Sequence, residues 1–148
     1  MTKLRTILLA EDNPNDIELT LEAMAENNLA NQVVVVNDGV EALEYLRCEG
    51  KYKHRKEGNP AVVLLDIKMP RMDGIEVLRK IRSEPALKKL PVVILTSSRE
   101  EQDLVTTYEL GVNAYVVKPV DFQQFMNAVK EIGVFWALLN ELPPERSQ

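Results

Sequence analysis

Val62-Val63-Leu64-Leu65, four apolar residues in a row between Pro60 and Pro70, restricts the fold more than any other stretch of this chain. A strand wetted on one face alternates apolar with polar residues. An unbroken apolar run bounded by chain breakers instead reads as a strand buried on both faces, and such strands belong to parallel sheets covered by helices. Asp66 ends the run. In open α/β sheets ligands bind in the crevice outside the carboxyl ends of the strands, so Asp66 falls where a site is expected. Taken alone it reads equally well as a turn or helix-capping aspartate.

Four further runs repeat the pattern. Ile7 to Ala10 ends on Glu11-Asp12, Val33 to Val36 on Asn37-Asp38-Gly39, Val92 to Leu95 on Thr96-Ser97-Ser98, and Ala114 to Val117 on Lys118-Pro119. Helical signals lie between them. Asn13-Pro14 is an N-cap followed by proline at the first helical position, leading into a stripe of Ile17, Leu21, Met24 and Ala25. Further helices are expected with Val40, Leu43 and Leu46 inward, and after Asp73-Gly74 with Ile75, Leu78 and Ile81 inward. Another is expected from a Ser97 or Ser98 cap through Leu104 and Tyr108 to Gly111, and a last one from near Asp121. The stretch from Gly50 to Pro60, with Lys51, Lys53, His54, Arg55 and Lys56, interrupts the rhythm and is expected to be a solvated polar loop.

Five strands alternating with five helices predict an α/β fold: a parallel sheet with right-handed crossovers and helices on both faces. In that geometry all strand C-termini share one edge, which gathers Glu11, Asp12, Asp66, Thr96 and Lys118. Clustered carboxylates repel one another, and a hard divalent cation such as Mg²⁺ relieves the repulsion while accepting oxygen ligands. The lysine and the hydroxyl can hold an anion. Together they suit a phosphoryl group held between metal and ammonium, with one carboxylate as in-line nucleophile. The plainer alternative is a salt-bridged strand edge in which Lys118 only neutralises the acids.

Composition narrows the rest. At 148 residues the chain suits one domain with a substantial core. A formal net charge of −5 argues against gripping nucleic acid or an anionic membrane. One cysteine, Cys48, excludes an internal disulfide, and with one histidine, His54, no Cys/His zinc cluster is expected. Neither a signal peptide nor a membrane span is read at the start, and a cytoplasmic location is expected.

The Glu11-Asp12 pair, Asp66 within Leu-Asp-Ile-Lys-Met-Pro, Asp73-Gly74 downstream, Thr96-Ser97, and Tyr115 three before Lys118-Pro119 resemble the response-regulator receiver domain of two-component signalling. The resemblance spans about residues 5 to 132. The basic loop and the tail Phe135-Trp136-Ala137-Leu138-Leu139-Asn140 are similar to those of single-domain regulators that accompany phytochrome-type histidine kinases. The resemblance implies a flavodoxin-like sheet of strand order 2-1-3-4-5. It implies that Asp66 accepts a phosphoryl group from a phosphohistidine. Asp12 and Asp66 would bind Mg²⁺ through carboxylates, Lys68 through its backbone carbonyl and Glu11 through water. Lys118, aimed by a cis bond to Pro119, would pair with Asp66 at rest and with a phosphoryl oxygen afterward. Thr96 and Tyr115 would form the switch pair.

The expected function is a phosphorylation-dependent switch that catalyses only its own phosphorylation and dephosphorylation. The whole chain, 1–148, is read as one receiver domain with a helical tail from 133, and no DNA-binding output domain is expected. Onward phosphotransfer in a relay is the runner-up. An aspartate-nucleophile phosphatase would carry Asp-x-Asp after the first strand, a pattern absent here. A module retaining only the fold would not need the acid and lysine set. Phe135, Leu138, Leu139 and Leu142 do not fit the stripe of Phe122, Phe125, Met126, Val129, Ile132 and Trp136, so a homodimer or partner contact through the last helix and tail is expected.

Overall fold

The computed structural model describes residues 6–26, 32–56, 58–97, 111–112 and 114–131. Five strands, β1 (Ile7–Ala10), β2 (Val33–Val36), β3 (Val62–Asp66), β4 (Val92–Thr96) and β5 (Ala114–Val117), form one sheet in the order β2-β1-β3-β4-β5. Every pairing is parallel. This is the flavodoxin-like order that the family resemblance implies. Helices α1 (Pro14–Ala25), α2 (Gly39–Arg47), α3 (Gly74–Ser83) and α4 (Phe122–Glu131) connect or follow the strands. Residues 98–110, which hold the helix expected after the Ser97 or Ser98 cap, and the tail beyond 131 lie outside the described residues.

In β1, β3 and β4 the unbroken apolar runs have the double burial that they predict, whereas the edge strands leave Val33, Val34 and Val35 of β2 half-buried and Val117 of β5 exposed. Alternate residues supply opposite faces: Ile7, Leu9, Val62, Leu64, Val93 and Leu95 pack with Met24 of α1 and Phe125 of α4. Leu8, Val63, Leu65 and Ile94 pack on the other side with Leu43, Leu46, Leu78 and Ile81 of α2 and α3. Full burial of one such side chain contributes about 1.5–3 kcal/mol, so each central strand residue matters.

The helix starts follow their caps. Asn13 accepts from the backbone of Asn15 and Asp16, Asp38 from Glu41, and Asp73 from Glu76. The loop after β3 runs tightly against the helices beside it. A side chain at Gly74 would strike the Asp66 carbonyl, and one at Gly39 the Met72 carbonyl, so both positions require glycine.

Two expectations need correction. In α1 the buried residues are Thr20, Ala23 and Met24, whereas Ile17 and Leu21 are half-buried and Ala25 is exposed. Met24 and Ile17 of the apolar stripe keep their place against the core, while Thr20 and Ala23 join that inner face beside the half-buried Asp16. The basic loop is also not merely solvated. Gly50–Tyr52 forms a 3-10 turn, Tyr52 donates to Glu41 at 2.7 Å, and Arg55 donates to the Tyr45 carbonyl at 3.0 Å while its guanidinium lies over the Tyr45 ring. Lys53, His54 and Lys56 are exposed.

Candidate active site

Parallel register builds the site. Ala10 lies opposite Leu65, so Glu11, the next residue, comes abreast of Asp66 at the end of β3. Asp66 pairs with Leu95 and leaves Thr96 one step farther along, level with Val117. The Lys118 amide then donates to the Thr96 carbonyl at 2.8 Å. Residues far apart in sequence thus meet on one edge because every strand runs the same way.

Three carboxylates converge there. Glu11, Asp12 and Asp66 each offer an oxygen, all within 4.8 Å of one another, with Glu11 and Asp66 buried and Asp12 exposed. Lys118 donates to Asp66 Oδ1 at 3.0 Å, Asp16 Oδ2 at 3.2 Å and Glu11 Oε2 at 3.3 Å. The Lys118–Pro119 bond is cis.

The charge balance is uneven. Glu11 is pushed up to about 7, first by burial and then by the negative charge of Asp66, against the Asn13 backbone N–H and Lys118. Burial works against the charge on Lys118, yet hydrogen bonding to Asp66 and the charges of its acidic neighbours outweigh it and raise its pKa. A single ammonium shared among several carboxylates leaves negative charge uncompensated. Hard carboxylate oxygens with excess charge are the donor set that Mg²⁺ or a similar divalent ion takes, so the residues present fit such an ion.

The other expected residues are placed as follows. Thr96 is fully buried at the end of β4. Tyr115 is half-buried, pairs with Ile94 and packs toward the α2 and α3 side of the sheet. Lys68 is exposed beside Asp12, Ile67, Met69 and Pro70 in an open groove at the mouth of the site. Asp16 is the residue the sequence reading missed. Its signal was the period of the polar Asp16-Thr20 pair with Ala23 and Met24, which hydrophobicity alone passes over.

A parallel sheet carrying three clustered acids and a lysine at its carboxyl edge defines an α/β protein with an acidic, cation-suited site at the strand ends. The family profile of the response regulator receiver domain matches residues 7–130, and the chain belongs to that family. Among proteins it is similar to, response regulator Rcp1 of Synechocystis sp. is 35% identical over 94% of this chain and 93% of its own length. The Mn²⁺-bound form of Rcp1 superposes with a TM-score of 0.71 at 35% identity, over 94% of this chain and 99% of that one. The bacteriophytochrome response regulator AtBRR is 61% identical with a TM-score of 0.87, covering 95% of this chain and 100% of its own. The phosphorylated cyanobacterial phytochrome response regulator RcpA is 42% identical with a TM-score of 0.73, covering 97% of this chain and 100% of its own. Among the described residues, no helix is long and apolar enough to cross a membrane.

Proposed function

We propose that this chain is a response regulator in which Asp66 accepts a phosphoryl group from the phosphohistidine of a sensor kinase and relays the event through protein contacts. The observation that carries the reading is the 3.0 Å pair between Lys118 Nζ and Asp66 Oδ1 inside a cluster of carboxylates. An oxygen of Asp66 attacks phosphorus, the new O–P bond forms as the N–P bond of the phosphohistidine breaks, and the electron pair leaves with the imidazole. Lys118 transfers one N–H from Asp66 to a phosphoryl oxygen, and the Thr96 hydroxyl turns to another. Tyr115 follows Thr96 inward as the second half of the switch.

Asp12 and Asp66, with the Lys68 carbonyl and, through water, Glu11, would hold Mg²⁺, which would supply neutralising charge to the phosphoryl oxygens. Asp66 and Glu11 need that charge most, because one lysine cannot balance them. The chain is an enzyme only toward itself, in its own phosphorylation and slow dephosphorylation. Lys68, two residues after Asp66, is exposed in the groove at the mouth of the site, the position that in this family governs attack by water.

The kinase is of the phytochrome type, a reading supported by AtBRR and RcpA, which carry that association in their names. Action in the cytoplasm and homodimerisation through α4 and the tail complete the proposal. Phosphotransfer from a panel of autophosphorylated histidine kinases tests it. Fast transfer from phytochrome-type kinases, dependent on Mg²⁺, is expected; equal transfer from every kinase, or none, contradicts the assignment.

A further inference from the structure

Lys118 has three N–H donors, and three carboxylates take them: Asp66 at 3.0 Å, Asp16 at 3.2 Å and Glu11 at 3.3 Å. Two of these acceptors, Asp66 and Glu11, belong to the trio whose oxygens gather for a cation, and Asp16 does not. The distinction matters once a cation and a phosphoryl group enter, because Asp66 and Glu11 then serve other partners.

Asp16 is held by its own surroundings. Its amide donates to the Asn13 cap at 3.1 Å, and its carbonyl accepts the Thr20 hydroxyl at 2.8 Å. Thr20 is 2% exposed, so the first turn of α1 is seated with its Asp16 face toward the end of β5. The Asp16 carboxylate and the Lys118 stem are both largely shielded, at 26% and 16% exposure, which strengthens their attraction over that of a surface pair.

We propose that Asp16 is the positioning residue of Lys118, the carboxylate that keeps the ammonium over the strand edge while Asp66 and Glu11 engage the cation and the phosphoryl group. This role rests on the reading of Asp66 as phosphoacceptor. Asp16 touches no reacting atom and acts only through the lysine. Asp16→Asn preserves shape and hydrogen bonding but removes the charge, so Lys118 samples more positions and transfer slows.

Initial rates of phosphorylation by acetyl phosphate at saturating Mg²⁺, in a cycle of Asp16→Asn, Lys118→Ala and the double variant, test the role. Asp16→Asn is expected to slow wild type by about threefold to tenfold and to change Lys118→Ala by less than about twofold. Equal factors in the two backgrounds would overturn the positioning role while leaving the phosphoacceptor reading intact. Reductive methylation of Lys118 by formaldehyde with cyanoborohydride as hydride donor, in metal-free, unphosphorylated protein, is an independent readout. Labelling faster in Asp16→Asn than in wild type is expected, and unchanged labelling overturns the pairing. Wild type that takes up no phosphate overturns both the role and the reading on which it rests.

Discussion

Two buried glutamates in this protein each touch a lysine, and their carboxyls are shifted in opposite directions. Glu11 is pushed up to about 7, whereas Glu41 is held below the usual carboxylate range. Burial raises both and is the largest influence on each. The difference lies in the partners. Glu41 collects donors: Lys51 Nζ at 2.8 Å, the Tyr52 hydroxyl at 2.7 Å and the Asn37 amide at 2.9 Å. Glu11 has the Asn13 amide and one shared lysine, and it faces the charge of Asp66. A carboxylate surrounded by donors is a structural tie. One surrounded by carboxylates is poised for a cation from outside.

That contrast predicts which loss follows each substitution. At the acid cluster the cost should fall on binding. Asp12→Ala removes an exposed carboxylate of the cluster without opening the core, so Mg²⁺ affinity should fall by about tenfold to a hundredfold with the melting temperature nearly unchanged. Isothermal titration calorimetry reads the first and a thermal melt the second. Unaltered Mg²⁺ affinity would break the comparison at its stronger end.

At Glu41 the cost should fall on stability instead. Glu41→Ala strips the partner from Tyr52, Lys51 and the Asn37 amide together, and should destabilise the fold by about 2 kcal/mol, read from urea unfolding. Phosphorylation by acetyl phosphate should keep its wild-type rate. A slowed rate in a fully folded variant would mean that the 3-10 turn and α2 are coupled to the site.

The smallest effect is the pH dependence of metal-free protein. Glu11 has its folded pKa raised from the ordinary 4.5 to about 7, so between these values the folded state holds a proton the unfolded state has released. Its stabilising contribution is complete below about 4.5 and is lost as pH rises through 7. Glu41 and Glu84, with lowered values, lose stability only on acidification below the ordinary carboxylate range. Melting temperature should therefore decline from pH 5 to 7.5, and Glu11→Gln should flatten the decline. A rise over that window in wild type would reverse the sign assigned to Glu11.

The acid cluster was legible in the sequence because parallel topology does the gathering. Once β1, β3 and β5 are read from Ile7 to Ala10, Val62 to Leu65 and Ala114 to Val117, the next residues must share an edge. Asp16 is not legible, since the stripe of Ile17, Leu21, Met24 and Ala25 predicts an inner face that leaves it out. Seating of α1 on the sheet buries Thr20 beside Met24, and the Thr20 hydroxyl satisfies itself on the Asp16 carbonyl. Nor did the charge run Lys51 to Lys56 disclose that Glu41 waits underneath, because that tie spans two elements. The membership of Tyr115 in a switch rests on family resemblance, as its half-buried strand position alone indicates nothing more.

The central claim is that Asp66 is the residue that takes the phosphoryl group. Intact-mass and peptide mass spectrometry after incubation with Mg²⁺ and acetyl phosphate, on wild type and Asp66→Asn, tests it directly. Asparagine is nearly isosteric but a poor nucleophile, so the variant should fold as wild type does. One phosphoryl adduct on the Asp66 peptide of wild type, absent from Asp66→Asn, is the predicted result; an undiminished adduct in Asp66→Asn would place the nucleophile elsewhere and contradict the account.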